Sequence, residues 1–113
     1  MKMVKIYTGS DQKTYFEEMD SGPATQQKLG LCSAIYPTTG FIFRDFVKGE
    51  CSGWHNPTEP RYIVYLEGSM EVEASSGEKR IFAAGDILYA VDHTGDGHNI
   101  RSLSDGRSLI IIT

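Results

Sequence analysis

Short runs of hydrophobic residues, each ended by a turn signal, recur along most of the chain. In the run 40–46, alternate side chains face opposite sides of an extended segment, with Phe41, Phe43 and Asp45 on one side and Ile42, Arg44 and Phe46 on the other. Similar runs cover residues 33–36, 61–67, 69–74, 79–82, 87–91, 99–103 and 108–113. Because no segment shows a helical period of useful length, this spacing predicts an all-β sandwich or barrel.

Polar and glycine-containing segments connect these predicted strands. We expect a tight connection at residues 67–69, a polar turn at 75–78 after which 79–82 pairs back, and a further turn at 83–86. Asp105 and Gly106 predict a hairpin turn between the last two strands. Residues 13–29 fit the pattern less well. The YFEEMD segment is compatible with a strand or a helical turn, and SGPATQQKLG is typical of a loop.

Length and charge narrow the class of protein. The 113 residues suit one domain, in which residues 1–30 supply an N-terminal strand and loop segment and residues 31–113 supply the barrel. The net charge is −4 with no cationic cluster, which argues against a nucleic-acid partner. Neither a membrane-spanning run nor a secretory signal is visible, so we expect a cytoplasmic protein without a membrane partner. There Cys32 and Cys51 should be reduced thiols of the core.

The segment GECSGWHNPTEPRYIVYLEG resembles the first motif of the cupin superfamily, G-x5-H-x-H-x(3,4)-E-x6-G. It matches the motif at Gly49, His55 and Gly68. Pro57 stands at the second histidine and Arg61 at the glutamate. A shift of one residue instead aligns Pro57 with the proline that often follows the second histidine, and Trp54 and Asn56 then occupy the two ligand positions.

The segment GDILYAVDHTGDGHNIRSL is similar to the second cupin motif, G-x5-P-x-G-x2-H-x3-N. Gly85 matches and Val91 stands at the proline. Asp96 falls on the histidine without a gap, and His98 does so if the loop is two residues longer. The chain is similar to small single-domain cupins with WHN near the first motif and DxTGxGH near the second. It covers roughly residues 40–113 and implies a cupin jelly-roll β-barrel, also called a double-stranded β-helix.

The resemblance implies that Arg61 points into the barrel. Ile63 and Tyr65 would then face inward as well, because side chains of a strand alternate between its faces. A guanidinium cannot lose its proton, so an inward Arg61 needs a carboxylate or an anionic ligand. The alternatives are a structural pair with Asp45, Asp92 or Asp96, or a position in water at the barrel mouth.

The other candidate site residues follow from the same two motifs. His98 is the candidate catalytic base, with Arg61 as its catalytic partner, and its alternative is a structural histidine that caps the TGDG loop. Trp54, His55, Asn56, Tyr65 and Asp92 are the candidate ligand-binding residues. The alternative role for Trp54 is to fill the core, and His55 points inward in one alignment and outward in the other. Asp92 would fix the tautomer of the imidazole.

Three functions remain open on this resemblance. We favour a barrel that binds a small, anionic organic ligand without a cofactor, either as a binding module or as an isomerase or cyclase in which His98 moves a proton. The second is a metal-dependent oxygenase or isomerase with one divalent transition metal on His55 and His98, helped by His93 or Asp96. The third is a non-enzymatic dimeric protein. Strand 108–113 is apolar without clear alternation, so we expect a homodimer that covers it.

Overall fold

The computed structural model describes residues 2–113, and within that range all regular structure is β-strand. Eleven strands follow one another along this part of the chain. They are β1 Met3–Thr8, β2 Thr14–Glu18, β3 Ala24–Gln27, β4 Gly30–Ser33, β5 Gly40–Phe46, β6 Arg61–Glu67, β7 Ser69–Ala74, β8 Lys79–Ala83, β9 Ile87–Ala90, β10 His98–Ser102 and β11 Gly106–Ile112.

Two sheets pack face to face. The larger has six strands in the order β2-β1-β9-β6-β11-β5, and the smaller has three in the order β10-β7-β8. The segment before Asn56 runs beside β10, where Cys51 and His55 form bridges to Arg101 and His98. The buried core between the sheets takes side chains from both, including Val4, Ile6, Ile63, Leu88 and Ile110 from the larger and Met70, Val72, Phe82 and Ile100 from the smaller. This is the predicted all-β jelly roll.

Alternation along the strands decides which side chains reach this core. In β7, Met70, Val72 and Ala74 are buried while the residues between them are half-buried. The same period in β6 buries Ile63 and Tyr65, with 3% and 0% of their surfaces exposed. The predicted inward orientation of these two residues is therefore confirmed.

Two of the predicted turns are crossings between sheets. Residues 67–69 connect β6 of the larger sheet to β7 of the smaller, and the connection through Asp105 takes β10 of the smaller sheet to β11 of the larger. The hairpin predicted between the last two strands was wrong. The crossings pack together, since a Cβ on Gly68 would overlap the Asp105 carbonyl oxygen. A short glycine connection therefore permits either outcome, and packing of the sheets selects the crossing.

The turn at residues 75–78 does form a hairpin, and the N-terminal part of the chain is more regular than predicted. Gly77 N donates to Ala74 O at 2.9 Å, and β7 pairs with β8 as expected. The YFEEMD segment enters strand β2. The predicted loop of residues 21–30 instead contributes to an exposed hairpin of β3 and β4, and the strand predicted at 33–36 ends at Ser33. Polar residues such as Gln26 and Gln27 conceal this hairpin from a hydrophobic pattern.

Candidate functional site

Two adjoining cavities open between the sheets. The first, which we call the His98 cavity, has a volume of about 180 Å³, and its walls include Arg44, His55, Asn56, Arg61, His98 and Ile110. The second, which we call the Ser102 cavity, has a volume of about 250 Å³ and is lined in part by Phe46, Cys51, Met70 and Ser102. Arg44, His55 and Ile100 line both cavities and form the junction between them.

His98 forms a buried pair with Asp92. Nδ1 of His98 lies 2.5 Å from Oδ2 of Asp92, and the two side chains are 2% and 0% exposed. A carboxylate can only accept here, so Nδ1 carries the proton and donates it in the hydrogen bond. Nε2 of His98 makes no hydrogen bond to residues 2–113, and His98 lines the cavity wall. The pair therefore fixes one tautomer of His98 and leaves its basic nitrogen available at the cavity.

His55 belongs to the same site and points inward. Its backbone N–H donates to His98 O and its carbonyl accepts from His98 N, both at 3.0 Å. The imidazole rings meet edge to face with centroids 4.5 Å apart. Nδ1 of His55 donates to Gly53 O at 3.0 Å, which leaves Nε2 of His55 free. His55 lines both cavities although it is exposed, and Asn56 lines the His98 cavity as well, so the structure does not single out one of the two alignments.

Arg61 lines the His98 cavity, but its charge is already partnered. Its Nη2 lies 3.2 Å from Glu59 Oε1 and 3.2 Å from the Thr58 hydroxyl, and its side chain is 22% exposed. None of the three aspartates considered from the sequence pairs with it. Asp45 instead pairs with Arg107, and Asp92 with His98.

Arg44 lines both cavities, although the sequence motifs do not point to it. Its Nε donates to the hydroxyl of Ser108 at 2.9 Å, and its Nη2 lies 3.7 Å from Met70 Sδ. The alternation of residues 40–46 already places Arg44 on the face of Phe46, which is buried. A charged residue at an inward position was the available signal.

Tyr65 lies beneath the site and does not line either cavity. Burial raises the pKa of Tyr65, and the neighbouring Arg44 guanidinium offsets part of that rise. Its hydroxyl is buried without a hydrogen-bond partner in residues 2–113, as is Oδ1 of Asp92. Tyr65 thus contributes to the floor of the site and makes no direct contact with the cavity space.

Asn56 is part of the site, whereas Trp54 is not. Nδ2 of Asn56 donates to the carbonyls of Asp92, Thr94 and Gly95 at 2.9, 3.0 and 3.2 Å. It therefore holds the loop that carries Asp92, and it also lines the His98 cavity. Trp54 is 52% exposed and lies outside both cavity walls.

Solved structures share this arrangement of sheets. An RmlC-like cupin protein from Desulfovibrio desulfuricans is 23% identical, with a TM-score of 0.53 over 70% of this chain and 76% of its own. The chain has a cupin fold. A protein from Neisseria meningitidis is also 23% identical, with a TM-score of 0.52 over 71% of this chain and 81% of its own. No protein-family model matches the sequence, and neither does any curated protein.

The donor set of the His98 cavity does not fit a divalent metal. Within residues 2–113 no group of three or more His, Cys, Asp or Glu side chains is placed to hold an ion. His55 and His98 each offer one nitrogen, and the guanidinia of Arg44 and Arg61 line the same cavity. The Arg44 guanidinium, which has no carboxylate partner among residues 2–113, would also repel a divalent cation in this confined space.

Two further observations concern the whole chain. Both cysteines are free, as expected, but neither lies in the core, since Cys32 and Cys51 are exposed. In the described part of the chain, no helix meets the length and hydropathy that a bilayer crossing requires.

Proposed function

We propose that this cupin binds a small organic acid in the His98 cavity and moves a proton on it without a metal, as an isomerase does. The observation that carries the proposal is the buried Asp92–His98 pair, whose free nitrogen lies on the wall of a cavity that two guanidinia also line. A base and cationic groups in one cavity are the parts that proton abstraction next to a carbonyl requires.

The pair supplies the base. Because Nδ1 of His98 is committed to Asp92, Nε2 is the nitrogen that accepts a proton. When it does, the imidazole becomes a cation, and the adjacent Asp92 carboxylate stabilises that charge. His55 restricts the ring of His98 from the other side, with centroids 4.5 Å apart. The imidazole is therefore held in one orientation before the ligand arrives.

Guanidinium groups supply the positive charge that a negatively charged ligand requires. Arg44 and Arg61 line the His98 cavity from β5 and β6, which are both paired with β11. A carboxylate or an enolate oxygen in the cavity would meet the unpaired charge of Arg44, whereas Glu59 offsets part of the charge of Arg61. Arginine keeps its charge throughout the working pH range, so this positive charge does not depend on pH.

The proposed reaction removes a proton to form an enolate and then returns the proton. The C–H bond next to a ligand carbonyl breaks, Nε2 of His98 takes the proton, and the electron pair moves onto the carbonyl oxygen as an enolate. Return of the proton to the other face of that carbon, or to a neighbouring carbon, gives an isomer and restores neutral His98. No oxidant or reductant is consumed.

The test is proton exchange on 2-oxobutanoate in D₂O, followed by the loss of its C3 proton signal in NMR. We expect the wild-type protein to accelerate exchange and His98→Asn to lose that acceleration by about 100-fold or more, which is the usual share of a general base. The matched control is His93→Asn, because His93 is exposed and its Nδ1 donates to Val91 O outside the cavity.

The same experiment separates chemistry from binding alone. If 2-oxobutanoate binds but exchanges no faster than in buffer, the protein is a binding module and the isomerase proposal fails. If exchange is fast in His98→Asn as well, a different group is the base. Thermal melting of each variant shows that the comparison is between folded proteins.

We also propose that the protein is a cytoplasmic homodimer. Two exposed and unpaired thiols suit a reducing compartment. The outer face of the larger sheet carries exposed aromatic residues at β5, with Phe41 62% and Phe43 75% exposed, and no strand within residues 2–113 pairs with the free edge of β5. A second copy presents the same apolar face and the same edge, so two chains can cover each other.

A further inference from the structure

We infer that Arg44 is the residue that holds the anion, and that the Ser102 cavity takes the tail of the ligand, an aliphatic acid with a hydrogen-bonding group near its far end. This inference rests on the proposed function, in which the head of the acid lies in the His98 cavity. It names the ligand class and the residues that select it.

Arg44 differs from the other arginines in its partners. Arg61, Arg80, Arg101 and Arg107 each lie within 4 Å of a carboxylate oxygen. Arg44 has no such ion pair among residues 2–113, and its recorded side-chain partners are the hydroxyl of Ser108 and the sulfur of Met70. A half-buried guanidinium with only neutral partners is costly to maintain, since it has lost water without gaining an anion. A ligand carboxylate would satisfy it.

Arg61 is a poorer candidate for the same task. Its guanidinium already contacts the Glu59 carboxylate at 3.2 Å, so an incoming anion would have to compete with an existing negative charge. Both residues line the His98 cavity, but Arg44 also lines the Ser102 cavity. The uncompensated charge of the site therefore lies at the junction of the two cavities.

The side chain of Ser102 supports the position of the ligand tail independently of Arg44. It is 4% exposed, it lines the Ser102 cavity, and its hydroxyl makes no hydrogen bond to any residue in the described part of the chain. Unlike the enclosed hydroxyl of Tyr65, the hydroxyl of Ser102 is not sealed from the cavity, so a ligand can reach it. His98, Ile100 and Ser102 are all buried on the same face of β10, so the Ser102 hydroxyl points toward the interior that His98 also faces. The unused hydroxyl indicates a hydrogen-bonding group on the ligand.

The two cavities share part of their walls. Ile100 lies between His98 and Ser102 on β10 and lines both cavities, and Arg44 and His55 do the same. His98 and Ser102 are four residues apart on a strand, which spans roughly 13 Å. Phe46, Met70 and Ile100 supply the apolar part of the Ser102 cavity. Two carboxylates also line it, but Asp45 is paired with Arg107 and Glu50 accepts a hydrogen bond from Val47 N. An acid with an aliphatic chain and a terminal hydroxyl matches this sequence of charge, apolar wall and hydroxyl.

The experiment measures the binding of four probes by isothermal titration calorimetry: butanoate, hexanoate, 6-hydroxyhexanoate and 1,6-hexanediol. For the wild-type protein we expect 6-hydroxyhexanoate to bind most tightly and hexanediol, which lacks a carboxylate, to bind most weakly. Arg44→Gln should weaken all three acids by about 10-fold or more, as loss of a charged hydrogen bond does. Arg44→Lys should recover part of that loss. Arg101→Gln is the matched control and should bind like wild type, because Arg101 pairs with Glu71 and neither residue lines either cavity.

Ser102→Ala tests the tail. It should weaken 6-hydroxyhexanoate by about fivefold, as loss of one neutral hydrogen bond does, and leave hexanoate unchanged. Equal effects on the two acids would overturn the assignment of the tail. Acid affinity that is unchanged in Arg44→Gln would overturn the assignment of the anion. If Arg44→Gln does not fold, the charge-preserving Arg44→Lys and the Ser102→Ala comparison still decide.

The outcome is distinct from that of the exchange experiment. Acids that bind through Arg44, with 2-oxobutanoate showing no exchange, would refute the chemistry and support this inference. If exchange depends on His98 but acid binding is unchanged in the Arg44 and Ser102 variants, the proposed chemistry is supported and this inference is refuted. A wild-type protein that binds none of the acids contradicts both.

Discussion

Gly97 lies directly against the backbone of His55. A Cβ at position 97 would overlap the His55 carbonyl oxygen, and Gly97 has a φ of +73°, where side chains are strained. The close approach lets the next residue, His98, exchange two backbone hydrogen bonds with His55. The contact of the two imidazoles thus depends on a residue that has no side chain.

The first prediction is that Gly97→Ala destabilises the protein by about 2–4 kcal/mol, because strain at positive φ adds to overlap with the backbone. Urea unfolding measures this. Gly53→Ala is the matched control, since Gly53 has the same φ of +73° with open space around its Cβ position, and it should lose only the strain energy of about 1 kcal/mol. Equal losses in the two variants would show that contact with His55 is unimportant.

The second prediction concerns Asn56. Asn56→Asp replaces a donor by an acceptor opposite three carbonyls, so we expect a loss of about 1–3 kcal/mol in the free energy of unfolding. Because the same loop carries Asp92, exchange on 2-oxobutanoate should also slow. Asn99→Asp is the control, since its amide oxygen faces Cys51 and remains an oxygen after the change. A stable, fully active Asn56→Asp protein would exclude Asn56 from positioning the pair.

The third prediction concerns Tyr65 and alkaline pH. Burial raises the pKa of Tyr65 above the value of about 10 that tyrosine has when unfolded. A raised pKa in the folded state means that this contribution to stability is complete below pH ~10 and declines as the pH rises further. Wild-type stability should therefore fall above pH ~10, and Tyr65→Phe should remove that part of the decline.

At neutral pH, Tyr65→Phe should be within about 1 kcal/mol of wild type or more stable, because it removes a buried hydroxyl without a partner. Chemical denaturation at several pH values gives both results. Tyr7→Phe is the control, since it removes a half-buried tyrosine hydroxyl on the other face of β1 from the core residues Val4 and Ile6. A Tyr65→Phe protein that declines as steeply as wild type above pH ~10 contradicts the assignment.

The fourth prediction tests the dimer. Light scattering after size exclusion should give wild-type protein twice the 12.5 kDa of one chain. Phe43→Lys should shift it to the monomer, because Phe43 is 75% exposed on the proposed interface. Ile81→Lys is the control, since Ile81 is 53% exposed on the smaller sheet. A monomeric wild-type protein, or a dimer that survives Phe43→Lys, would rule out this interface.

Much of the site could be predicted from sequence because motif spacing and alternation are local properties. The sequence points to Asp92 and His98, which end the DHTGDGH segment, and their side chains pair. Arg61 was selected because it replaces a glutamate, but the counter-ion it takes is its near neighbour Glu59. Arg44 was not selected, although its inward position followed from the same alternation that places Phe46 in the core.

The sequence by itself determined which strands form in most of the chain and which side chains face inward, because a strand repeats every two residues whatever it packs against. Ile63 and Tyr65 follow that rule. Only the tertiary structure decided which sheet each strand joins and which charges remain unpaired. A glycine turn permits both a hairpin and a crossing, and an arginine can reach several carboxylates, so these outcomes depend on contacts between residues far apart in the chain, such as Gly68 with Asp105 and Arg44 with Ser108.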